Sequence, residues 1–252
     1  MRIAAFADVH GNLPALTAVL DDIHRESPDI SICLGDLAFK GPCPGECIEL
    51  LMKRAVQCVY GNTDRALLRV AGLLDDNRPV GAALPYLEWH LARMSGQALH
   101  FLSTLPFECR LDADAVRLLF VHATPEDVGG FIGPFSNEDD ARRQVRVMEA
   151  DWLVMGHLHD PYYFRFGSRR LVNTGAVGFS LDGNWRPSYA LIDTRTETVA
   201  IKRIGYNVEE AVTLARERDF CFDPDWYGSA LRQGYWDPVP YDRRAAIDRF
   251  PR

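Results

Sequence analysis

The 252-residue sequence has no apolar run approaching the ~20 residues that a membrane-crossing helix needs, so none is expected. A signal peptide is not expected either. Met1 and Arg2 lead directly into an apolar stretch, without the small-residue cleavage site that such a leader carries. An excess of basic residues is also missing. With 28 Lys and Arg against 35 Asp and Glu, the formal net charge of −7 gives no footprint for general nucleic-acid binding or for an anionic membrane. The six cysteines contain no CxxC pair. Cys33 and Cys58 sit in apolar runs, where a free thiol behaves as a small hydrophobe. Cys43 and Cys47 have no second Cys or His pair near them to complete a structural zinc site. A cytoplasmic location fits such thiols. Repeats, low-complexity tracts and linkers are absent as well. One domain over residues 1–252 is the expected organisation, with residues 207–252 as a helical extension packed on it.

What is present begins at residues 3–12, I-A-A-F-A-D-V-H-G-N. A short buried strand stops at Asp8-Val9-His10, and Gly11-Asn12 turns the chain. Leu13, Leu16, Leu20 and Ile23 then recur at helical spacing, with Asn12 as N-cap and Pro14 near the helix start. Ser27-Pro28 ends that helix. An apolar run at residues 30–34 finishes at Gly35-Asp36, and a loop K-G-P-C-P-G at 40–45 feeds a second helix. A third strand, Cys58-Val59-Tyr60, ends at Gly61-Asn62-Thr63-Asp64. Strand, helix, strand, helix, strand is the order of parallel βαβ units, whose chemistry collects beyond the carboxyl ends of the strands.

Residues 65–105 read as helical, with Leu84, Leu87, Leu91 and Met94 as an apolar stripe; His24, His90 and His100 receive no role. A strand at Val116–Val121 ends at His122, followed by a loop with Gly129, Gly130, Gly133 and Pro134 and a charged helix at about 137–150. A strand at Trp152–Met155 ends at Gly156-His157-Leu158-His159. Two-residue periodicity then predicts antiparallel strands at 170–172, 188–193 and 199–203, around the glycine loop N-T-G-A-V-G. Asn207 and Glu210 resemble a capping box, and a last helix is expected at 225–233. Trp226, Tyr227, Tyr235 and Trp236 are placed to cover a core edge or an interface.

The strand ends, taken together, supply Asp8, His10, Asp36, Asn62, His122, His157 and His159. Read singly, Asp8 or Asp36 is as well explained as a cap or turn residue, and a lone His as structural. Together they form a set of carboxylates, carboxamide and imidazoles without thiolate, suited to hard-to-borderline divalent ions. Seven groups are too many for one tetrahedral ion and about right for two ions ~3.5–4 Å apart.

The pattern D-x-H, G-D, G-N, H, G-H-x-H resembles the signature of the calcineurin-like metallophosphoesterase superfamily, from Met1 to about Ile204. G-D-L-A-F-K-G-P-C-P and N-T-G-A-V-G are similar to its small bacterial and archaeal phosphoesterase branch. The resemblance implies a four-layer α/β/β/α sandwich with a dinuclear centre at one edge. One metal would take Asp8, His10 and His159, the other Asn62, His122 and His157, with Asp36 bridging. Manganese is the first choice of ion, with iron, zinc, nickel, cobalt or magnesium as alternatives. A water or hydroxide between the ions would attack phosphorus in line with the leaving oxygen.

Many relatives carry G-N-H-D or G-N-H-E, whose His acts as general acid; here the motif is G-N-T-D. Threonine does not donate a proton near neutral pH as imidazolium does. Asp64 is therefore the candidate donor, with water as the alternative, and Asp36, Asn62 and Asp64 are the catalytic candidates. Lys40 and Arg65 are the nearest cations for contacting a small phosphoester substrate. Asn173 and Gly175 are expected to support His157 and His159 rather than to line the pocket. The missing His and the missing D-R-G after G-D favour a phosphodiesterase. The alternatives are a phosphomonoesterase, a protein or dinucleoside-polyphosphate phosphatase, or a non-catalytic binding module like the retromer subunit that resembles these enzymes. Oligomeric state is left open.

Overall fold

The computed structural model describes residues 1–74, 79–132, 139 and 149–235. Most of the helix expected at 137–150, with Gly133, Pro134, Trp236 and the rest of the tail, lies outside the described residues.

Two five-stranded mixed sheets flanked by helices form an α/β sandwich. The first sheet has the order β10-β9-β1-β2-β3, from β1 (Arg2–Phe6), β2 (Ile30–Cys33), β3 (Gln57–Cys58), β9 (Ser188–Asp193) and β10 (Thr198–Arg203). β1, β2 and β3 run parallel, while β9 and β10 add as antiparallel neighbours. The second sheet has the order β4-β5-β6-β8-β7, from β4 (Glu108–Ala113), β5 (Val116–Val121), β6 (Trp152–Met155), β7 (Tyr162–Phe166) and β8 (Arg169–Asn173). β5, β6 and β8 are parallel there.

Alternation along β1 explains the layering. Ile3 and Ala5 face inward and share one buried cluster with Ile32, Leu118, Phe120, Trp152, Val154 and Val172, between the sheets. Ala4 and Phe6 face outward and meet Leu16, Val19, Leu20 and Ile23 of α1 (Leu13–Glu26), with Ile48 and Leu51 of α2 (Pro44–Lys53). The Asn12 side chain caps α1 by accepting the Ala15 amide at 3.2 Å. Ser27 stops the helix in left-handed backbone.

α3 (Asn62–Val70), α4 (Leu84–Leu91) and α5 (Gly96–Ser103) follow β3. Of the apolar stripe expected along α4, Leu87 is buried and Leu84 is 40% exposed. Beside α4, whose Trp89 packs against them, α6 (Val208–Glu217) and α7 (Pro224–Gln233) enclose Phe179, Phe220 and Tyr227 in a further cluster. The Asn207 cap is present, its side chain accepting the Glu210 amide. No helix among the described residues is long and apolar enough to cross a membrane, and all six cysteines are free.

One local expectation is corrected, and two strands are added. β3 pairs only at Gln57 and Cys58, because the Tyr60 amide turns away to the Pro106 carbonyl at 3.0 Å. β4 and β7, not anticipated, form the two edges of the second sheet.

Candidate metal centre

The parallel strands of both sheets end at one place. Asp8 and His10 follow β1, Asp36 follows β2, Asn62 opens α3 after β3, His122 follows β5, and His157 and His159 follow β6. Main-chain hydrogen bonds continue past the strand ends and lock these loops together. The Asp8 and His10 amides donate to the Gly35 and Asp36 carbonyls, both at 2.9 Å. Gly156 donates to His122, and Val177 and Gly178 donate to Ala7 and Asp8.

Asp8, His10, Asp36, His157 and His159 all adopt left-handed backbone, with φ between 48° and 69°. Such backbone costs a non-glycine residue on the order of 1–3 kcal/mol, and it persists where the surrounding structure over-determines it. Here it turns five side chains toward one spot. Gly61 is required for a related reason. A Cβ at that position would fall 2.1 Å from Asp36 Oδ1.

The imidazoles are oriented by the main chain. His10 Nδ1 donates to the Phe39 carbonyl and His122 Nδ1 to the Leu34 carbonyl, each at 2.7 Å, and His159 Nδ1 donates to Phe179. A carbonyl only accepts, so each Nδ1 carries a proton, and each ring in its neutral form presents its lone pair at Nε2. Those lone pairs converge. His10 Nε2 lies 3.0 Å from His159 Nε2, a pair that neutral rings of this tautomer cannot join by a hydrogen bond. Asp8 Oδ1 stands 3.2 Å from His159 Nε2 and 3.7 Å from His10 Nε2. It is buried and has no hydrogen-bond partner.

The second half of the site mirrors the first. His122 Nε2 is 3.0 Å from Asn62 Oδ1 and 3.2 Å from His157 Nδ1. Asp36 lies between the halves, with Oδ2 at 3.7 Å from His10 Nε2 and Oδ1 at 3.6 Å from His122 Nε2. Burial acts to raise the pKa of both carboxyls. The nearby imidazoles outweigh it, chiefly His159 at Asp8 and His122 at Asp36, and hold both below the ordinary value. His10 is depressed by burial and then by the Lys40 charge.

Buried carboxylates, facing lone pairs and an orphaned oxygen form a donor set that fits divalent cations. Two overlapping groups, Asp8 with His10 and His159 and Asp8 with Asp36 and His122, bring their ligand atoms within 4.8 Å of one another.

The other candidates separate. Lys40 is half-buried beside the centre, where Asp36 and Asp8 partly offset the burial that lowers its pKa. The Arg65 guanidinium lies 5.5 Å from the Tyr60 ring centroid. Asp64 is fully buried, and its oxygens accept three main-chain amides, those of Asp36 (2.8 Å), Leu37 (2.9 Å) and Gly61 (2.9 Å). Burial and then the Asp36 charge push its pKa up to about 7, against the pull of those amides. Asn173 accepts the Gly175 amide and donates to the Gly156 carbonyl at 2.6 Å, bracing the residue before His157.

One side chain without a sequence signal joins this neighbourhood. His90, fully buried on α4, accepts the Lys40 amide at its Nε2 at 3.1 Å. Fifty residues separate the two, and no motif links them.

The family model for the calcineurin-like phosphoesterase superfamily domain matches residues 1–197. The chain belongs to that family. It is 28% identical over 249 residues to an uncharacterized protein of Methanocaldococcus jannaschii, an alignment covering 92% of this chain and 98% of that one. Among solved structures, it is similar to a metallophosphoesterase from Sphaerobacter thermophilus, with 27% identity and a TM-score of 0.76, covering 93% of this chain and all of that one. A hypothetical protein from Pyrococcus horikoshii shares the fold, with a TM-score of 0.79 at 19% identity over 94% of this chain and 98% of that one. The family is one of phosphoesterases, and the converging Asp and His residues are its candidate metal-binding set here.

Proposed function

We propose that the protein is a dinuclear metal-dependent phosphodiesterase, acting in the cytoplasm on a small phosphoester. The observation that carries this reading is the set of main-chain-oriented imidazoles whose Nε2 lone pairs meet around buried Asp8 and Asp36. Asp8, His10 and His159 would hold one ion and Asn62, His122 and His157 the other, with Asp36 serving both. Bound there, two divalent ions, manganese by preference, would supply a water of lowered pKa as nucleophile and neutralise the phosphate oxygens.

The chain's own groups then set the substrate. Lys40 stands beside the carboxylates, where its ammonium can take a phosphate oxygen. Thr63 provides no proton at neutral pH, and Asp64 spends both oxygens on main-chain amides. With neither Thr63 nor Asp64 free to protonate a departing alkoxide, leaving groups that depart as stable anions are favoured. Phenolic or nucleoside diesters meet that need better than alkyl monoesters.

The test is hydrolysis of bis-p-nitrophenyl phosphate and p-nitrophenyl phosphate by metal-stripped protein, with and without Mn²⁺, beside Asp36→Asn. Mn-dependent diester cleavage, lost in the variant, is the expected result. Cleavage of the monoester alone would replace this reading with a phosphatase. Bound metal without any hydrolysis would replace it with a binding module.

A further inference from the structure

We propose that His90 is a positioning residue for the metal centre, acting on His10 through the peptide group that joins Phe39 to Lys40. The inference rests on the reading of His10 as a metal ligand. Three hydrogen bonds form one continuous chain. His90 Nδ1 donates to the Tyr86 carbonyl at 2.6 Å, one turn back on α4. His90 Nε2 accepts the Lys40 amide at 3.1 Å. The Phe39 carbonyl accepts His10 Nδ1–H at 2.7 Å.

The Phe39 carbonyl and the Lys40 amide are the two ends of a single planar peptide unit. Holding its N–H fixes the plane in which its oxygen meets His10. An acceptor on the N–H also polarises the group, so that the oxygen accepts more strongly and His10 becomes the better donor of its Nε2 lone pair. The peptide needs holding. Lys40 has φ of +87°, a strained value for a residue with a Cβ, and release would let this backbone relax away from His10.

His90 is suited to the task by its surroundings. Its ring lies 4.9 Å from Phe39, 5.0 Å from Trp89 and 5.9 Å from Phe220, centroid to centroid, and is fully buried. Among the titratable groups near it, Arg93, just past the C-terminal end of α4, disfavours protonation, and the Cys221 sulfur lies 4.0 Å from Nδ1. Burial, the leading cause, brings its pKa down to about 4, so that Nε2 remains an acceptor at neutral pH.

A residue that only filled volume would be replaceable by phenylalanine. The experiment compares His90→Phe, which keeps the bulk and removes the acceptor, with His90→Gln, whose amide oxygen reaches the Nε2 position. Metal-stripped full-length protein is titrated with Mn²⁺ alone by calorimetry, and the unfolding temperature of each metal-free variant is recorded. The wild type binds Mn²⁺. His90→Phe is expected to bind one ion about 10- to 100-fold more weakly, while His90→Gln stays within about threefold of wild type. The ¹⁵N shifts of the His10 ring should move in metal-free His90→Phe and return in His90→Gln. Unchanged Mn²⁺ affinity in a folded His90→Phe overturns the proposal alone, as does equal weakening in both variants. A wild type that binds no Mn²⁺ overturns the metal-centre reading and this one with it. Should His90→Phe fail to fold, hydrogen exchange of the wild-type Lys40 amide decides. Strong protection supports the bond to His90, and fast exchange refutes it.

Discussion

Asp64 and Asp36 brace one another across two loops. Asp64 Oδ2 accepts the Asp36 amide at 2.8 Å, and the Thr63 amide next to Asp64 donates to Asp36 Oδ1 at 2.9 Å. The carboxylate of one residue thus shapes the turn that aims the carboxylate of the other. Two roles for Asp64 make opposite forecasts. As a brace, Asp64→Ala leaves three buried amides without acceptors and should cost roughly 3–5 kcal/mol in urea unfolding of the metal-free protein. As a proton donor only, it would leave stability intact and slow the poorest leaving groups most.

Gly61 sets a steric limit on the same turn. Gly61→Ala would press its Cβ into Asp36 Oδ1, 2.1 Å away, and that oxygen also holds the Thr63 amide. The expected outcome is a folded protein by circular dichroism that retains less metal after dialysis, read by elemental analysis. Full metal content would show that Asp36 is free to move without loss of the centre.

The pH dependence of stability follows from His90. Its pKa is about 4 in the folded chain, below the ordinary 6.5, because burial disfavours the charged ring. Between those values the unfolded chain binds the extra proton, so stability is complete above pH 6.5 and is lost as pH falls toward 4. The loss is at most about 3 kcal/mol from this group. Urea unfolding of metal-free protein across pH 7.5–4.5 should show a steeper decline for wild type than for His90→Gln. Parallel curves would refute the assignment.

Arg170 and Glu197 tie the second sheet to the turn between β9 and β10 at 2.7 Å. The partners are unequal. The arginine side chain is 1% exposed and also donates to the Gly167 and Arg169 carbonyls, while the glutamate side chain is 54% exposed. Arg170→Ala empties a buried space beside Trp152 and should cost about 2–4 kcal/mol. Glu197→Ala should cost no more than about 1 kcal/mol. Comparable losses in thermal unfolding would contradict this account.

How much could be read in advance depended on whether residues were buried on both sides. β1, β5 and β6 are interior strands, and their nearly continuous apolar runs ending in Asp or His were visible in the sequence. β4 and β7 are edges of the second sheet. Sequences such as E-C-R-L-D-A, polar on one face and paired on one side, carry little of that signal. The ligand candidates were legible because each sits where a strand runs out, and the structure brings all of them to one edge. Lys40 and Arg65 looked alike from their loops, but Lys40 lies among the carboxylates whereas Arg65 stacks on Tyr60. Asp64 was recognisable as part of the motif, but its three amide partners follow from loop geometry that no spacing encodes. His90 was invisible for a similar reason. Its importance lies in one main-chain amide contributed from fifty residues away.

The centre draws Asp8, His10, Asp36 and Asn62 from the first sheet and His122, His157 and His159 from the second. A divalent ion held by both, as the proposed function has it, would act as a rivet through the two halves of the sandwich. At a free concentration a hundred times its dissociation constant, one such occupant would add about 2.7 kcal/mol to folding. Scarcity would then act twice, by stopping turnover and by exposing more opened chain to proteases. Abundance of the protein would come to report the supply of the ion.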